Sequence, residues 1–385
     1  MTVTAVLGAF WGDEGKGKVA AALSVGASIC ARFQGGPNAA HTVYVDGREL
    51  VFRMVPAGIV SAEYGVIGNG AVVNPALLVD EVETLGRYVP DLRDRLRIST
   101  AAHVILPEHL ERDGGALSQT IGTTKMGVGP TYADKIARNG VRVGDLLDGR
   151  VDPPDERSAR AAERFRAVLG PCCVDTGELL REALDGGARV VAEGAQGALL
   201  DVDHGDYPFV TSSNTTIGAV FTGLGIGVRD LDRVLVVASA YMTKVGGGAF
   251  PTRIDGVEAE FLRSRGEEVD GATGLLRDCG WLDLALLRRA VAVNRADGIV
   301  LTKLDVVGGL PEIALVDSSL SPGEEEIWLS GWDEELSGAA SLDDLPEAAR
   351  DYVAAVEARV GAPLVGLSVG RELSEYFSVG SPALR

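Results

Sequence analysis

The chain has 385 residues, 46% of them hydrophobic, enough to enclose the core of one large α/β domain or two medium ones. Its 55 acidic against 36 basic residues leave a net charge of −19, which disfavours nonspecific binding to nucleic acid or to an anionic membrane surface. The four cysteines, Cys30, Cys172, Cys173 and Cys279, have neither metal-ligand spacing nor the look of a disulfide framework. No basic leader or long apolar run opens the sequence, so neither a signal peptide nor a membrane span is expected, and the expected setting is a reducing cytoplasm.

In chain order, Val3 to Leu7 reads as a buried strand, and Val19 to Leu23 as the start of a helix. Between them runs Gly8-Ala9-Phe10-Trp11-Gly12-Asp13-Glu14-Gly15-Lys16-Gly17-Lys18. A strand, a glycine turn and a helix start make an anion site, because free backbone N–H groups converge there and glycine lets a phosphate approach. The spacing Gly12-x-x-x-x-Gly17-Lys18 fits the Walker form, but Val19 stands where Ser or Thr would hold Mg²⁺. Asp13 is the replacement metal ligand. A carboxylate inside a phosphate loop is electrostatically unfavourable unless a metal or a reacting proton requires it. Only six lysines occur, Lys16, Lys18, Lys125, Lys135, Lys244 and Lys303, and all fall in segments rich in Gly, Thr or Asp.

Cys30 to Phe33 reads as a second strand, followed by the polar loop Gln34-Gly35-Gly36-Pro37-Asn38-Ala39-Ala40-His41-Thr42. His41 sits in small-residue surroundings and reads as a functional imidazole that donates to a polarised oxygen. Asp46-Gly47 predicts a hairpin between Thr42–Val45 and Leu50–Val55. Val66 to Gly70 reads as a buried strand closing in a tight turn, residues 75–85 as a helix, and Val104 to Leu106 as a strand ending at Pro107. The stretch from Ile121 to Pro130 is too rich in Gly and Thr for a regular element, and its hydroxyls and amides suit a phosphate or a carboxylate. Asp134 to Arg138 reads as a helical turn beside it. Residues 149–185 read as peripheral helix.

Val190 to Ala192 is a strand ending in Glu193-Gly194-Ala195-Gln196-Gly197. Asp201, Asp203 and His204 follow at a spacing open to two readings, a metal site or a solvated polar loop. Thr211 to Thr216 is a second hydroxyl-rich loop. Val234 to Ala238 is a strand, and Leu284 to Asn294 a helix. Gly298 to Leu301 is a strand running into Thr302-Lys303-Leu304-Asp305, and Pro363 to Val369 is the last strand. A Lys-x-Asp at a strand end suits guanine, because Asp305 can accept from N1–H and N2–H together while the stem of Lys303 covers the base. Apolar strands ending in Gly/Thr/Asn loops and mostly separated by helices predict an α/β fold. We expect a single large domain over residues 1–385, with a mostly parallel central sheet flanked by helices, a P-loop-like phosphate site and small peripheral subdomains.

The series of loops resembles the adenylosuccinate synthetase family over nearly the whole chain. The resemblance rests on Trp11 to Lys18, Gln34 to Gly36, Asn38-Ala39, His41-Thr42, Gly127 to Pro130, Asp134-Lys135, Arg138 and Glu193 to Gly197. It continues through Asp201, Asp203, His204-Gly205, Tyr207-Pro208, Thr211 to Asn214, Gly280 to Asp283 and Thr302 to Asp305. It implies a GTP- and Mg²⁺-dependent C–N ligase that phosphorylates the 6-oxo group of IMP and displaces the phosphate with L-aspartate. In that reading Asp13 takes the N1 proton and ligates Mg²⁺ together with the Ala40 carbonyl. His41 and Lys16 act on the transferring phosphoryl group. GTP is held by Gly12, Glu14, Gly15, Gly17, Lys18, Thr42, Lys303, Asp305, Ser368 and Gly370. IMP is held by Asn38, Thr124, Gln196, Thr211, Val245, Gly246 and by Arg138 reaching across a homodimer interface. Thr273 and Arg277 receive the amino acid. No nucleic acid or membrane partner is implied.

The sequence also departs from the family pattern. Lys125-Met126 replaces Gly-Arg, Lys244 replaces an arginine, and Leu275-Leu276-Arg277-Asp278 replaces an arginine-rich loop whose first arginine helps bind the amino acid's carboxylate. The segments from Asp148 to Glu193 and from Asp305 to Ser368 are shorter than the family's. Losing a charge-assisted contact to a carboxylate costs about 1.5–3 kcal/mol, so the departures bear on the amine nucleophile rather than on phosphoryl activation. The competing readings are a paralogue that uses the same activation on another nucleotide or amine, and a catalytically silent nucleotide-binding protein.

Overall fold

The computed structural model describes residues 2–115, 122–151, 155–269, 274–321 and 323–380. The central strand Val3–Gly8 is buried on both sides, as a continuous apolar run in a parallel sheet must be. It pairs in parallel with Val190–Glu193 on one side and Leu231–Ser239 on the other. Outward from Val190–Glu193 the order is Ile29–Arg32, Tyr64–Ile67, Leu96–Ser99 and Cys173–Val174. Outward from Leu231–Ser239 it is Gly298–Thr302, Leu364–Ser368 and Tyr376–Ser378. Nine strands of this ten-stranded sheet run parallel, and the edge strand Tyr376–Ser378 is antiparallel.

Period-two alternation explains why helices cover both faces. Val3, Ala5 and Leu7 pack with Leu180 of helix Thr176–Asp185 and with Val220 and Leu224 of helix Gly218–Leu224. Val6 points the other way, against Val19 and Ala20 of helix Lys16–Leu23. Each buried Val, Leu or Ile side chain contributes about 1.5–3 kcal/mol. The expected α/β architecture with a mostly parallel sheet is therefore present. Among the described residues, no helix is long and apolar enough to cross a membrane.

Local chemistry sets several boundaries. Asn74 accepts from the Leu77 N–H and Pro75 opens the helix Pro75–Leu85, matching the predicted range. Asp283 accepts from Ala285 and Leu286 to start Leu284–Asn294. The predicted hairpin forms, with His41–Val45 paired to Arg48–Phe52. Other expectations need correction. The stretch read as irregular up to Pro130 becomes helix from Val128 to Ala137, because Gly127 takes the left-handed conformation at its start and Pro130 is tolerated in a first turn. The run at Val104 gives only His103–Val104, paired with Val72–Val73, before helix Pro107–Asp113 begins. Residues 149–185 are not all helix, since Cys173–Val174 adds a strand to the sheet edge. A second, four-stranded sheet, Tyr241–Lys244, Asp278–Asp283, Glu312–Val316 and Glu326–Ser330, was not expected. All four cysteines are free.

Candidate active site

The parallel strands end along one edge of the sheet, and the loops that follow them enclose a cleft of about 230 Å³. At its base the loop after Val3–Gly8 is held by a side chain from within. The buried Glu14 carboxylate accepts from the N–H groups of Phe10 (2.9 Å) and Gly12 (3.0 Å) and pairs with Lys16. The Glu14 carbonyl accepts from the Thr302 hydroxyl at 2.6 Å, which ties the loop to the strand Gly298–Thr302. Gly15, left-handed at φ 86°, then turns the chain into helix Lys16–Leu23, whose N-terminus has no side-chain cap and keeps its amides open.

Asp13 is held at φ 61°, a conformation that a non-glycine residue adopts at a cost. Its carboxylate receives Arg277 Nη2 at 3.0 Å. Loss of solvent against the cleft walls raises its carboxyl above the ordinary value of 3.8, an effect that Arg277, Lys303 and Lys16 oppose. A raised carboxyl is a stronger base, which suits a group that must take a proton.

His41 lies beside the end of the loop, at the start of its hairpin strand. Its Nδ1 is 2.6 Å from the fully buried Glu193, the last residue of strand Val190–Glu193. Glu193 also accepts from Arg32 at 3.4 Å and from the Gly58 N–H at 3.2 Å. These protein groups hold Glu193 below the ordinary carboxylate value, against its burial, so it is the acceptor and the His41 Nδ1–H the donor. Burial first, then Arg32, holds His41 below its ordinary 6.5. Gly17 is packed so tightly on the ring that a Cβ there would stand 2.5 Å from the His41 Cβ.

At the far end of the loop, Lys303 is left-handed at φ 60° and opens the short helix Leu304–Val307. Its ammonium reaches the buried Glu268 at 2.5 Å. Desolvation raises the Asp305 carboxyl. Lys18 turns away from the loop to donate to Ser368 Oγ (2.9 Å), the Gly370 carbonyl (2.7 Å) and the Glu375 carbonyl (3.1 Å). Burial lowers its ammonium to about 8.

The cleft brings together Gly12, Asp13, Lys16, Asn38, Ala40, His41, Thr124, Gln196, Thr211 and Val245 from the predicted site. Glu14, Gly15, Gly17, Lys18, Thr42, Lys303, Asp305, Ser368 and Gly370 lie along the loop and beyond it rather than on the cleft lining. Arg138 and Gly246 are exposed, and Thr273 lies outside the described residues. Trp11 closes part of the wall, donating to Asp206 at 3.0 Å beneath the Lys244 ammonium. Of the two readings of residues 201–204, the structure supports the loop. The buried Asp201 accepts from the amides of Asp203, His204, Thr215 and Thr216, stapling two loops together. Among the described residues, no group of three His, Cys, Asp or Glu side chains is placed to hold a metal. A Mg²⁺ that takes one or two protein oxygens and otherwise phosphates and water needs no such cluster, and the Asp13 carboxylate with the Ala40 carbonyl on the cleft fits it.

Sequence reasoning assigned no role to Glu193, Arg32, Tyr241 or Glu268. Glu193 carried a signal, an acid closing an apolar strand. Glu268 carried none, since its neighbour Glu267 is exposed.

An open parallel sheet with an uncapped helix N-terminus and an acid–base pair at its strand ends defines a phosphate-handling α/β enzyme. A family model described as adenylosuccinate synthetase matches residues 5–154 and 153–377. Adenylosuccinate synthetases of Xanthomonas euvesicatoria pv. vesicatoria (strain 85-10) and Stenotrophomonas maltophilia (strain R551-3) are each 39% identical, over 98% of this chain and 98% of theirs. Those alignments run over 422 positions, so the relatives carry segments that these 385 residues lack. The fully ligated adenylosuccinate synthetase from Plasmodium falciparum superposes with a TM-score of 0.90 at 34% identity, covering 98% of this chain and 100% of that one. The succinoaminodeoxyadenylate synthetase (PurZ) of cyanophage S-2L, bound to dGMP and dATP, shares the fold at a TM-score of 0.70 and 23% identity, over 99% of this chain and 96% of its own. The chain belongs to the adenylosuccinate synthetase family and is a ligase that forms a C–N bond.

Proposed function

We propose that the chain joins L-aspartate to C6 of IMP at the expense of GTP, as a cytoplasmic enzyme of purine nucleotide biosynthesis. The observation that carries this reading is that Asp13, held by Arg277, and His41, held by Glu193, line one cleft beside the phosphate loop. IMP would lie among Asn38, Thr124, Gln196 and Thr211, and the GTP phosphates would follow the Gly15–Lys18 amides toward Lys303 and Asp305.

Asp13 takes the N1 proton, and charge builds on O6, which bonds to the γ-phosphorus as the bond to GDP breaks. Arg277 keeps Asp13 ionised and aimed, while the loop amides and Lys16 take the charge on the transferring group. Lys16 acts from its place beside Glu14, on the cleft lining. His41, oriented by Glu193, presents Nε2 and donates from it once protonated. Phosphorylation turns a poor leaving oxygen into a good one, and the aspartate amine then adds at C6 with loss of phosphate. Mg²⁺ at Asp13 and Ala40 would neutralise phosphate charge. Arg138, exposed just after its helix, suits a contact with a nucleotide phosphate in a partner subunit of a homodimer.

Incubation with IMP, GTP, Mg²⁺ and a panel of amines, read by mass spectrometry, tests the reading. Adenylosuccinate with aspartate is the expected product. A second reading, another amine or nucleotide on the same activation chemistry, is favoured by one observation. Leu275 and Leu276 stand exposed beside Arg277, where the resemblance implies arginine first. GTP consumption with another amine and none with aspartate would select it.

A further inference from the structure

Glu268 has no place in the chemistry above, yet it is fully buried and every oxygen it carries is engaged. Oε2 receives Arg277 Nη1 at 2.7 Å. Oε1 receives the Lys303 ammonium at 2.5 Å and the Tyr241 hydroxyl. The other arm of Arg277 holds Asp13, so a continuous path of charge-assisted hydrogen bonds runs from Lys303 through Glu268 and Arg277 to Asp13. Two carboxylates and two cations balance. The ring of Tyr241 lies beneath the Lys303 ammonium at 5.3 Å. Space for the hub is kept by Gly266, where a Cβ would fall 2.1 Å from the Tyr241 hydroxyl and 2.8 Å from the Glu268 carboxylate. The Arg277 amide also donates to the Glu268 carbonyl at 3.0 Å, so side chain and backbone fix the same pair.

We propose that Glu268 is a positioning residue that locks Arg277 and Lys303 into one unit, so that the lysine at the purine end of the triphosphate and the arginine that aims Asp13 are set together. This rests on the reading of Lys303 as a purine contact. A buried carboxylate shared between two cations holds each at a fixed distance from the other, and taking either away leaves charge unbalanced inside the protein. Binding at the purine end and proton removal at the other substrate are thereby coupled through a side chain that touches neither.

Steady-state kinetics decide the matter. Glu268→Gln, which keeps the shape and removes the charge, is expected to raise KM for GTP and lower kcat together, each about tenfold. Lys303→Met changes a partly exposed residue and guards against a misfolded Glu268 variant. It also removes the lysine's own pull on Asp13, and kcat at saturating GTP is expected to fall at least about fivefold as Arg277, left as the sole cation on Glu268, shifts away from Asp13. A residue that merely supports the fold would move the melting temperature and leave both constants near wild type. The proposal is overturned if folded Glu268→Gln keeps kcat and KM within twofold, or if Lys303→Met raises KM alone. Should the wild-type chain consume a different triphosphate, the GTP reading fails, while the same two variants assayed with that triphosphate still decide on Glu268.

Discussion

The two halves of the site are built differently. Along the phosphate loop and toward Lys303, the polar side chains are already engaged by the protein: Lys16 by Glu14, Lys18 by the Ser368–Glu375 turn, Lys303 by Glu268, and Thr302 by the loop carbonyl. Around the outer cleft, Thr123, Thr124, Thr211 and Val245 are only partly buried on loops, and Gly246 to Gly248 are exposed. One half is a braced frame whose donors are set before any substrate arrives. The other is a set of edges that a ligand completes. Preorganised groups cost no reorganisation during reaction, so the frame suits the charge-shifting step and the edges suit choice of substrate.

Substitutions can break this contrast. The largest effect is expected for Asp13→Asn, which removes the proposed base and leaves the surrounding frame, with kcat reduced about 10²–10⁴-fold and the melting curve little changed. Gly17→Ala forces a methyl into His41 and is expected to lower kcat about a hundredfold, since a small misplacement of a catalytic group is enough. If its activity stayed near normal, the ring would not need the position it holds. Asp305→Asn removes the proposed acceptor for guanine and should cost GTP about ten- to a hundredfold in kcat/KM while reducing its advantage over ATP and XTP. On the other half, Leu275→Arg sharpens the contrast, because added charge at the cleft edge should lower KM for aspartate about tenfold if aspartate is the nucleophile. An unchanged KM would point to a different amine.

The smallest effect is a proton. The protein's own groups hold His41 below 6.5, so it is neutral at pH 7 and must gain a proton to donate from Nε2. Triphosphate binding near neutral pH is therefore expected to take up a fraction of a proton, seen by calorimetry in buffers of different ionisation enthalpy, and His41→Asn should abolish it. The same shift has a sign for stability. Below pH 6.5 the unfolded chain's imidazole protonates and the buried one resists, so His41 destabilises the fold as pH falls toward its lowered value.

Much of this was legible in the sequence, and the reason differs by element. Central strands announced themselves because burial on both faces demands unbroken apolar runs such as Val3 to Leu7. The phosphate loop was legible because its geometry needs glycine at fixed places. The strand Asp278–Asp283 was not, since Asp-Cys-Gly-Trp-Leu-Asp has no period and is held by partners at Tyr241–Lys244 and Glu312–Val316. Glu268 was invisible for the same reason, because what distinguishes it from the exposed Glu267 is contributed by Tyr241, Arg277 and Lys303 across the fold. At Asp201 the spacing left a metal site and a polar loop equally open, and the structure uses the carboxylate to staple backbone amides.

The grip of Lys18 on residues 368–375 has a consequence for how the protein is made. A residue in the first helix is held by groups some 350 positions later in the chain. The strand Val3–Gly8 likewise waits for Val190–Glu193 and Leu231–Ser239 before it has neighbours. Such long closures make folding slow. The phosphate loop is made well before the segments that brace it, so a nascent chain that has not yet reached Leu364–Ser368 carries the loop's sequence without the rigid frame that would hold a triphosphate.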